Sequence, residues 1–287
     1  MGDVVNLLIF GLGYTASFYA AEASQAFEQV TATKRAPEVL AEGRFRLLPF
    51  DGASDKIDPR LIDAFGDADA VLVSAAPDAA GDPVLRRLAD KIAAAPNLKR
   101  IVYLSTIGVY GDHQGAWIDE TSELRPSNDR TRWRVAAERD WLALGEQSQK
   151  QVYVLRLSGI YGPGRSVIEK LRDGTAKRLI KPGQVFNRIH VADIAQTINA
   201  CFVGSAPGGI YNVTDDEPAP PQDVVAYAAE LMGVEPPPEQ PFEATQLSPM
   251  ARSFYGDNKR ASNTKMRETL GVKLRYPTYR EGISGLV

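Results

Sequence analysis

The first residues with an evident chemical use are Gly11, Gly13 and Ala16, at the spacing Gly-x-Gly-x-x-Ala. Between a strand and a helix this spacing can seat a diphosphate. The first glycine permits a tight turn, the second lets the phosphates approach the backbone, and the small third residue lets the helix pack close to the strand. The N–H groups of Gly11, Leu12, Gly13, Tyr14 and Thr15 would then face the anion. The plainer alternative is a glycine turn that only joins two elements. About 20 residues on, where an acidic side chain would accept from a ribose 2′-hydroxyl, the chain reads Thr33-Lys34-Arg35. The planar fork of Arg35, assisted by Lys34 or Thr33, suits a 2′-phosphate, so NADP is expected ahead of NAD. Against this stands the reading of Lys34 and Arg35 as solvated loop charges.

The elements that must hold these residues follow a regular alternation. Val4 to Phe10 is a short β-rich run ending at the glycines, Tyr14 to Phe27 reads as a helix, and Gln29 to Thr33 as a second strand. Strands are then expected at Arg44 to Phe50, Ala70 to Ser74, Lys99 to Ser105 and Gln151 to Leu157. Helices are expected at Pro59 to Phe65, Pro83 to Ala95 and Asp129 to Leu144. Crossovers of this length make a parallel sheet, and wholly apolar strands such as Ile101-Val102-Tyr103-Leu104 mean that both its faces are covered. After Gly159 the pattern loosens into a smaller region, with a helix from Ala192 to Phe202, a strand from Gly209 to Val213 and a helix from Asp223 to Met232.

Several further segments give a family resemblance over most of the chain: Phe50-Asp51-Gly52, Ser74-Ala75-Ala76-Pro77, Tyr103 to Asp112, Leu155 to Gly164, Asn187 to Asp193 and Tyr211-Asn212-Val213. With the glycine fingerprint, they resemble the short-chain dehydrogenase/reductase superfamily, in its extended, epimerase/dehydratase-like branch and the atypical members related to it. The resemblance implies an α/β fold: a Rossmann-type doubly wound parallel sheet with a smaller C-terminal substrate-binding region. Residues 1–158 would form the NAD(P)-binding part, to which 186–214 return, and 159–185 with 215–287 the substrate-binding part. It further implies Asp51 and Gly52 near the adenine, Ala75 and Ala76 beneath the middle of the cofactor, and Ile160 beside the nicotinamide. Thr106 would bond the reacting oxygen, and Arg188 would contact substrate. The activity implied is that of an oxidoreductase or epimerase/dehydratase on a small oxygenated or nucleotide-sugar-like substrate.

The chain departs from that family in its acid–base group. Where a tyrosine and, four residues later, a lysine are usual, this sequence has Arg130 and Arg134. Both face one side of a helix. A guanidinium does not give up its proton at physiological pH, so a phenol's role is not replaced at position 130, while Arg134 can still donate to a ribose. The competing reading makes Arg130, Arg132, Arg134 and Arg139 a solvated face. Tyr110 and Tyr161 lead the search for another proton carrier, followed by Asp112 and His113. His190 reads as a structural histidine. A second functional reading is an NADP-binding sensor or structural module without hydride chemistry.

Composition narrows the remaining classes. Of 287 residues, 33 are Lys or Arg and 36 Asp or Glu, a net charge of −3 that gives no overall pull toward nucleic acid or an anionic membrane. One cysteine, Cys201, excludes an internal disulfide and a Cys-type zinc site, and suggests a reducing, cytoplasmic setting. Two histidines leave no metal site in view. No apolar run approaches the ~20 residues that span a bilayer, and Asn6 weakens a myristoylation reading of Met1-Gly2. No GxSxG elbow is present. The expected partner is a small molecule, with a homodimer left open.

Overall fold

The structure, a computed structural model, describes residues 6–23, 26–37, 41–42, 44–54 and 56–287. Met1-Gly2 and the expected strand residues Val4 and Val5 lie outside it, as do Ser24 and Gln25 of the expected first helix.

Parallel strands β1 (Asn6–Phe10), β2 (Gln29–Lys34), β4 (Phe45–Pro49), β5 (Ala70–Val73), β6 (Arg100–Thr106), β8 (Gln151–Leu157) and β12 (Gly209–Val213) form the sheet, and β3 (Ala41–Glu42) adds an antiparallel edge to β4. The spatial order is β12-β8-β6-β5-β1-β2-β4-β3. From β1 the chain moves outward in one direction to β2 and β4, and from β5 in the other to β6, β8 and β12. A crevice therefore opens between the C-terminal ends of β1 and β5, where such sheets receive ligands. This is the doubly wound sheet expected from the alternation of elements.

Alternate side chains of each strand feed opposite layers, as a period of two requires. Leu7 and Ile9 of β1, Leu72 of β5 and Leu155 of β8 enter one core with Tyr19 of α1 (Tyr14–Ala23) and Ile194 and Ile198 of α6 (Val191–Val203). Leu8, Phe10, Val71 and Tyr103 enter the other. There they meet Phe65 of α2 (Pro59–Asp67), Leu88 of α3 (Pro83–Ala94) and Trp141 of α4 (Asp129–Ser148). Asp58 and Asp82 cap α2 and α3, each followed by a proline at the first helical position. That arrangement starts a helix without wasting an amide. Asn128 and Thr131 form a capping box that fixes where α4 begins.

Shorter elements cover the strand ends: β7 (Trp117–Ile118), β9 (Gly159–Tyr161), α5 (Val167–Arg172), β10 (Arg178–Ile180) and β11 (Arg188–His190). Toward the C-terminus follow α7 (Pro221–Leu231), β13 (Glu239–Pro241), α8 (Pro249–Phe254), β14 (Arg260–Ala261), α9 (Thr264–Thr269) and α10 (Tyr279–Ser284). β9 pairs with β11, β10 with β13 and β7 with β14, all in parallel. Tyr161, Ile168, Ala219, Val224, Ala228, Tyr279 and Ile283 make a separate small core in this region. Among the described residues no helix is long and apolar enough to cross a membrane.

Candidate active site

The glycine turn sits at the crevice. The Phe10 carbonyl accepts from the amides of Ser74 (2.8 Å) and Ala75 (3.1 Å), joining the ends of β1 and β5. Gly11 then turns with φ of +86°, and a Cβ there would lie 2.9 Å from the Ala75 nitrogen, so only glycine fits. Its N–H donates to Thr33 Oγ1 (3.1 Å), while that of Leu12 donates to the Thr33 carbonyl (3.0 Å). Thr33, 1 % exposed, therefore positions the loop. The expectation that its hydroxyl helps to bind a 2′-phosphate is corrected, because the side chain is buried beneath the turn and does not reach the surface. Gly13 has open space where a Cβ would be, and the first turn of α1 carries no acidic residue. The amides of Gly11, Leu12 and Gly13 are each engaged within the protein, that of Gly13 with the Gly11 carbonyl (2.9 Å), which corrects the expectation that they face an anion; the amides of Tyr14 and Thr15, at the start of α1, are left to border the open surface. Lys34, Arg35 and Asp51 are exposed at the neighbouring strand ends. Gly52 presses against Pro83, its carbonyl held by Arg86 (2.9 Å) and Arg87 (3.2 Å). These residues fit a dinucleotide laid across the crevice.

Beside the loop, a cleft of about 290 Å³ is lined by Tyr14, Thr15, Ser74, Ser105, Thr106, Arg134, Ser158, Ile160 and Arg165, with Leu104 and Leu157. Thr106 ends β6 and caps the following 3-10 turn, its Oγ1 accepting from Gly108 N (3.0 Å). The hydroxyl proton stays available to a ligand. Arg134 donates from Nη1 to the Leu104 carbonyl (2.7 Å) and the Tyr103 hydroxyl (3.1 Å), which reads against a merely solvated face. Arg130, one turn earlier, is exposed. The Tyr14 hydroxyl donates to the Pro163 carbonyl (3.0 Å), and burial raises its pKa.

Three expected site residues are not brought to the cleft. Tyr110 is fully buried: its hydroxyl accepts from Arg156 (2.8 Å) and donates to Asn212 Oδ1 (2.8 Å), and burial raises its pKa. Tyr161 belongs to the small core, its phenol lying where a Cβ on Gly282 would go. Burial raises its pKa, and Asp215 and Asp193 add to the shift. Arg188 donates to the carbonyls of Phe186 (2.9 Å) and Ala219 (3.1 Å) rather than reaching the cleft. A strand end puts a residue near a site, but the next turn decides which way its side chain points. Of the other candidates, Asp112 caps the amides of Gln114 and Asn258, both at 2.9 Å. The ring of His113 meets the Glu123 carbonyl (3.1 Å), and His190 caps α6 by accepting from Ala192 N (3.2 Å).

The sequence reading missed the group beneath the cleft. Glu138, one turn beyond Arg134, forms a buried ion pair with Arg156 (2.7 Å) and accepts the hydroxyl of Ser105. The signal was available, since Arg130, Arg134 and Glu138 recur at intervals of four on α4. Arg165 and Ser158 were also passed over.

Comparison with known proteins adds kinship to this geometry. The chain is 30 % identical over 286 residues to protein YeeZ of Escherichia coli K12, covering 95 % of this chain and 96 % of that one. It is similar to the solved structure of a functionally unknown conserved protein from Silicibacter pomeroyi (48 % identity, TM-score 0.87, 98 % of both chains). It also shares its fold with a dTDP-glucose 4,6-dehydratase from Bacillus anthracis solved in complex with NAD (18 % identity, TM-score 0.78, 98 % of this chain and 94 % of that one). The sequence model of the NAD dependent epimerase/dehydratase family matches residues 84–214. With its fingerprint turn, its crevice at the reversal of strand order and these relatives, the chain belongs to the NAD-dependent epimerase/dehydratase family.

Proposed function

We propose that this protein is an NAD(P)-dependent oxidoreductase or epimerase/dehydratase acting on a small oxygenated or nucleotide-sugar-like substrate. The observation that carries the reading is the continuity of the glycine turn with a cleft that presents Thr106 and Arg134. The open space at Gly13 and the amides of Tyr14 and Thr15 would hold the diphosphate, with Asp51 and Gly52 at the adenine end, Ala75 and Ala76 at the middle, and Ile160 at the nicotinamide end. Lys34 and Arg35, exposed at the end of β2 where an NAD site would carry an acidic residue, favour NADP over NAD. A dinucleotide held there would supply or accept the hydride. Thr106 donates a hydrogen bond to the reacting oxygen, and Arg134, anchored on Leu104 and Tyr103, supplies a fixed positive charge to the ribose or the substrate. Residues 1–158 and 186–214 form the cofactor-binding part in this reading, and 159–185 with 215–287 shape the substrate side.

A second reading, cofactor binding without hydride chemistry, draws on the exposed Arg130 and on the engaged Tyr14 phenol. Steady-state oxidation of NADPH over a panel of carbonyl compounds, together with chromatographic detection of epimerised or dehydrated nucleotide sugars, in which the cofactor takes up the hydride and returns it, separates the two. Turnover that falls about 100-fold in Thr106→Val, with NADPH affinity kept, supports the enzyme. Tight NADPH binding with no turnover anywhere supports the module. Arg35→Asp should weaken NADPH about tenfold or more while sparing NADH, by the loss of charge-assisted bonds. Equal losses would remove Arg35 from the 2′-phosphate.

A further inference from the structure

We propose that the side chain of Tyr14 latches a strap, residues 162–165, against the glycine turn, and that this latch opens each time a dinucleotide enters or leaves the cleft. The inference rests on the reading of the cleft as the dinucleotide site, and it concerns the exchange of the cofactor rather than the reaction.

The latch joins groups 149 residues apart in the chain. The Tyr14 hydroxyl donates to the Pro163 carbonyl (3.0 Å), and the Arg165 guanidinium rests over the Tyr14 ring at 5.4 Å. Burial raises the pKa of this phenol against the opposing charge of Arg165, so it remains a donor at neutral pH.

The strap is built to move as one piece. The Gly162 amide donates to the Arg165 carbonyl (3.1 Å) and the Arg165 amide to the Gly162 carbonyl (3.0 Å), closing a tight turn. Gly164 turns with φ of +72°, which favours glycine, and a Cβ on Gly162 would lie 2.8 Å from the Tyr14 hydroxyl and 2.6 Å from Val191 Cγ1. Glycine at 162 therefore makes room for the phenol. Pro163, Gly164 and Arg165 are exposed, while the far end of the strap is anchored by the capping box of Ser166 and Glu169 that starts α5.

This arrangement closes a ring beside the cleft. It runs from the Tyr14 backbone along its side chain to Pro163, and returns through Gly162 and Tyr161 to Ile160. Ser74, Ser105, Thr106, Leu157 and Ser158 form the floor at the strand ends, and Arg134 stands on the side of α4. The latch shuts the opposite side, toward α1. A dinucleotide seated on the amides of Tyr14 and Thr15 and ending at Ile160 lies along that side. Because the latch bond is made between protein groups alone, it is broken for passage and remade afterwards. It slows entry and exit alike and leaves the affinity unchanged.

The test is stopped-flow fluorescence of NADPH and NADH with the whole protein, release being followed after a chase of NADP or NAD. Tyr14→Phe keeps the ring beneath Arg165 and removes the latch bond. Its association and dissociation rate constants should both rise about two- to tenfold, the scale of one net hydrogen bond, while their ratio holds. Arg165→Gln, which alters an exposed side chain, should raise both by less. Fluorescent etheno-ADP, which lacks the nicotinamide half that the latch confines, should exchange at the same rate in Tyr14→Phe as in the native protein. Dinucleotide rates unchanged in Tyr14→Phe overturn the latch and leave the dinucleotide site standing. Faster release without faster entry makes Tyr14 a ligand contact, and equal acceleration of etheno-ADP makes it a support of the glycine turn; either result overturns the latch as well. Failure of both dinucleotides to bind removes the reading of the site, and the latch with it.

Discussion

His190 shows how a single residue can carry a pH dependence without touching the chemistry. Its Nδ1 accepts from Ala192 N, which puts the ring hydrogen on Nε2, and the ring is enclosed by Tyr161 (5.2 Å between centroids) and Tyr276 (4.0 Å). Burial, with the nearby charge of Arg275, lowers its pKa from 6.5 to about 4. An unfolded chain takes up this proton near pH 6.5, whereas the folded one refuses it until about 4. Stability from this group is thus whole above pH 6.5 and is lost as pH falls through the window, by about 3 kcal/mol in total. Urea unfolding from pH 7 to pH 4 should show the native protein losing more stability than His190→Asn, a variant whose side chain still caps a helix. Parallel curves would mean that the imidazole titrates normally in the fold. Nothing in the pattern Ile189-His190-Val191 beyond its apolar neighbours hints at this shift, which comes from burial, to which two aromatic rings 29 and 86 residues away along the chain contribute, and from the charge of Arg275.

At the scale of elements, α4 is joined to the sheet by charge as well as by packing. Glu138 meets Arg156 of β8 in a pair that is 3 % and 2 % exposed, and Arg156 continues to Tyr110 and Asn212. Removing one partner strands the other as a buried charge. Glu138→Ala should therefore cost about 3–5 kcal/mol, measured as a lower midpoint in denaturant, and adding Arg156→Met should recover part of the loss. Additive losses would show that the two groups do not depend on each other. Tyr103, stacked on Trp141 and accepting from Arg134, ties the same helix to β6 beside the cleft. Elements of this size are legible in sequence because each carries its own pattern: continuous apolar runs for β5 and β6, and proline after an aspartate cap for α2 and α3. The pairs β7 with β14 and β10 with β13 are two or three residues long and join segments far apart in the chain, so no local period announces them. For the same reason Gly11, Thr106 and Arg134 could be placed at the crevice, whereas the directions of Tyr110 and Tyr161 were set by distant partners: Arg156 and Asn212 for one, Gly282 for the other.

In the whole molecule, the tail of the chain is what connects the small region to the cleft. Asp193, with no exposure, accepts from the amides of Arg275 (2.6 Å) and Tyr276 (3.1 Å). Two residues later Thr278 caps α10, whose Gly282 rests on the phenol of Tyr161. Tyr161 ends β9, and its neighbour Ile160 lines the cleft. A second tie runs through Asn187, which accepts from Ala261 N (2.8 Å) and donates to the Lys259 carbonyl (2.9 Å), while Lys259 reaches the Gly111 carbonyl (2.7 Å). Asp193→Ala removes one acceptor group from two backbone amides at once, at about 1–3 kcal/mol for each amide left unsatisfied. The glycine turn is fixed independently by Thr33 and Ala75, so a loosened tail should not reach it. Hydrogen exchange in Asp193→Ala should therefore quicken across residues 275–284 and β9 and stay slow in β1, β5 and β6. Binding of ADP, which reaches only the glycine-turn end of the crevice, should hold, while binding at the Ile160 end of the cleft weakens. Exchange that rises evenly through the central sheet would instead make the aspartate a support of the entire fold, and would separate the tail from any influence on the cleft.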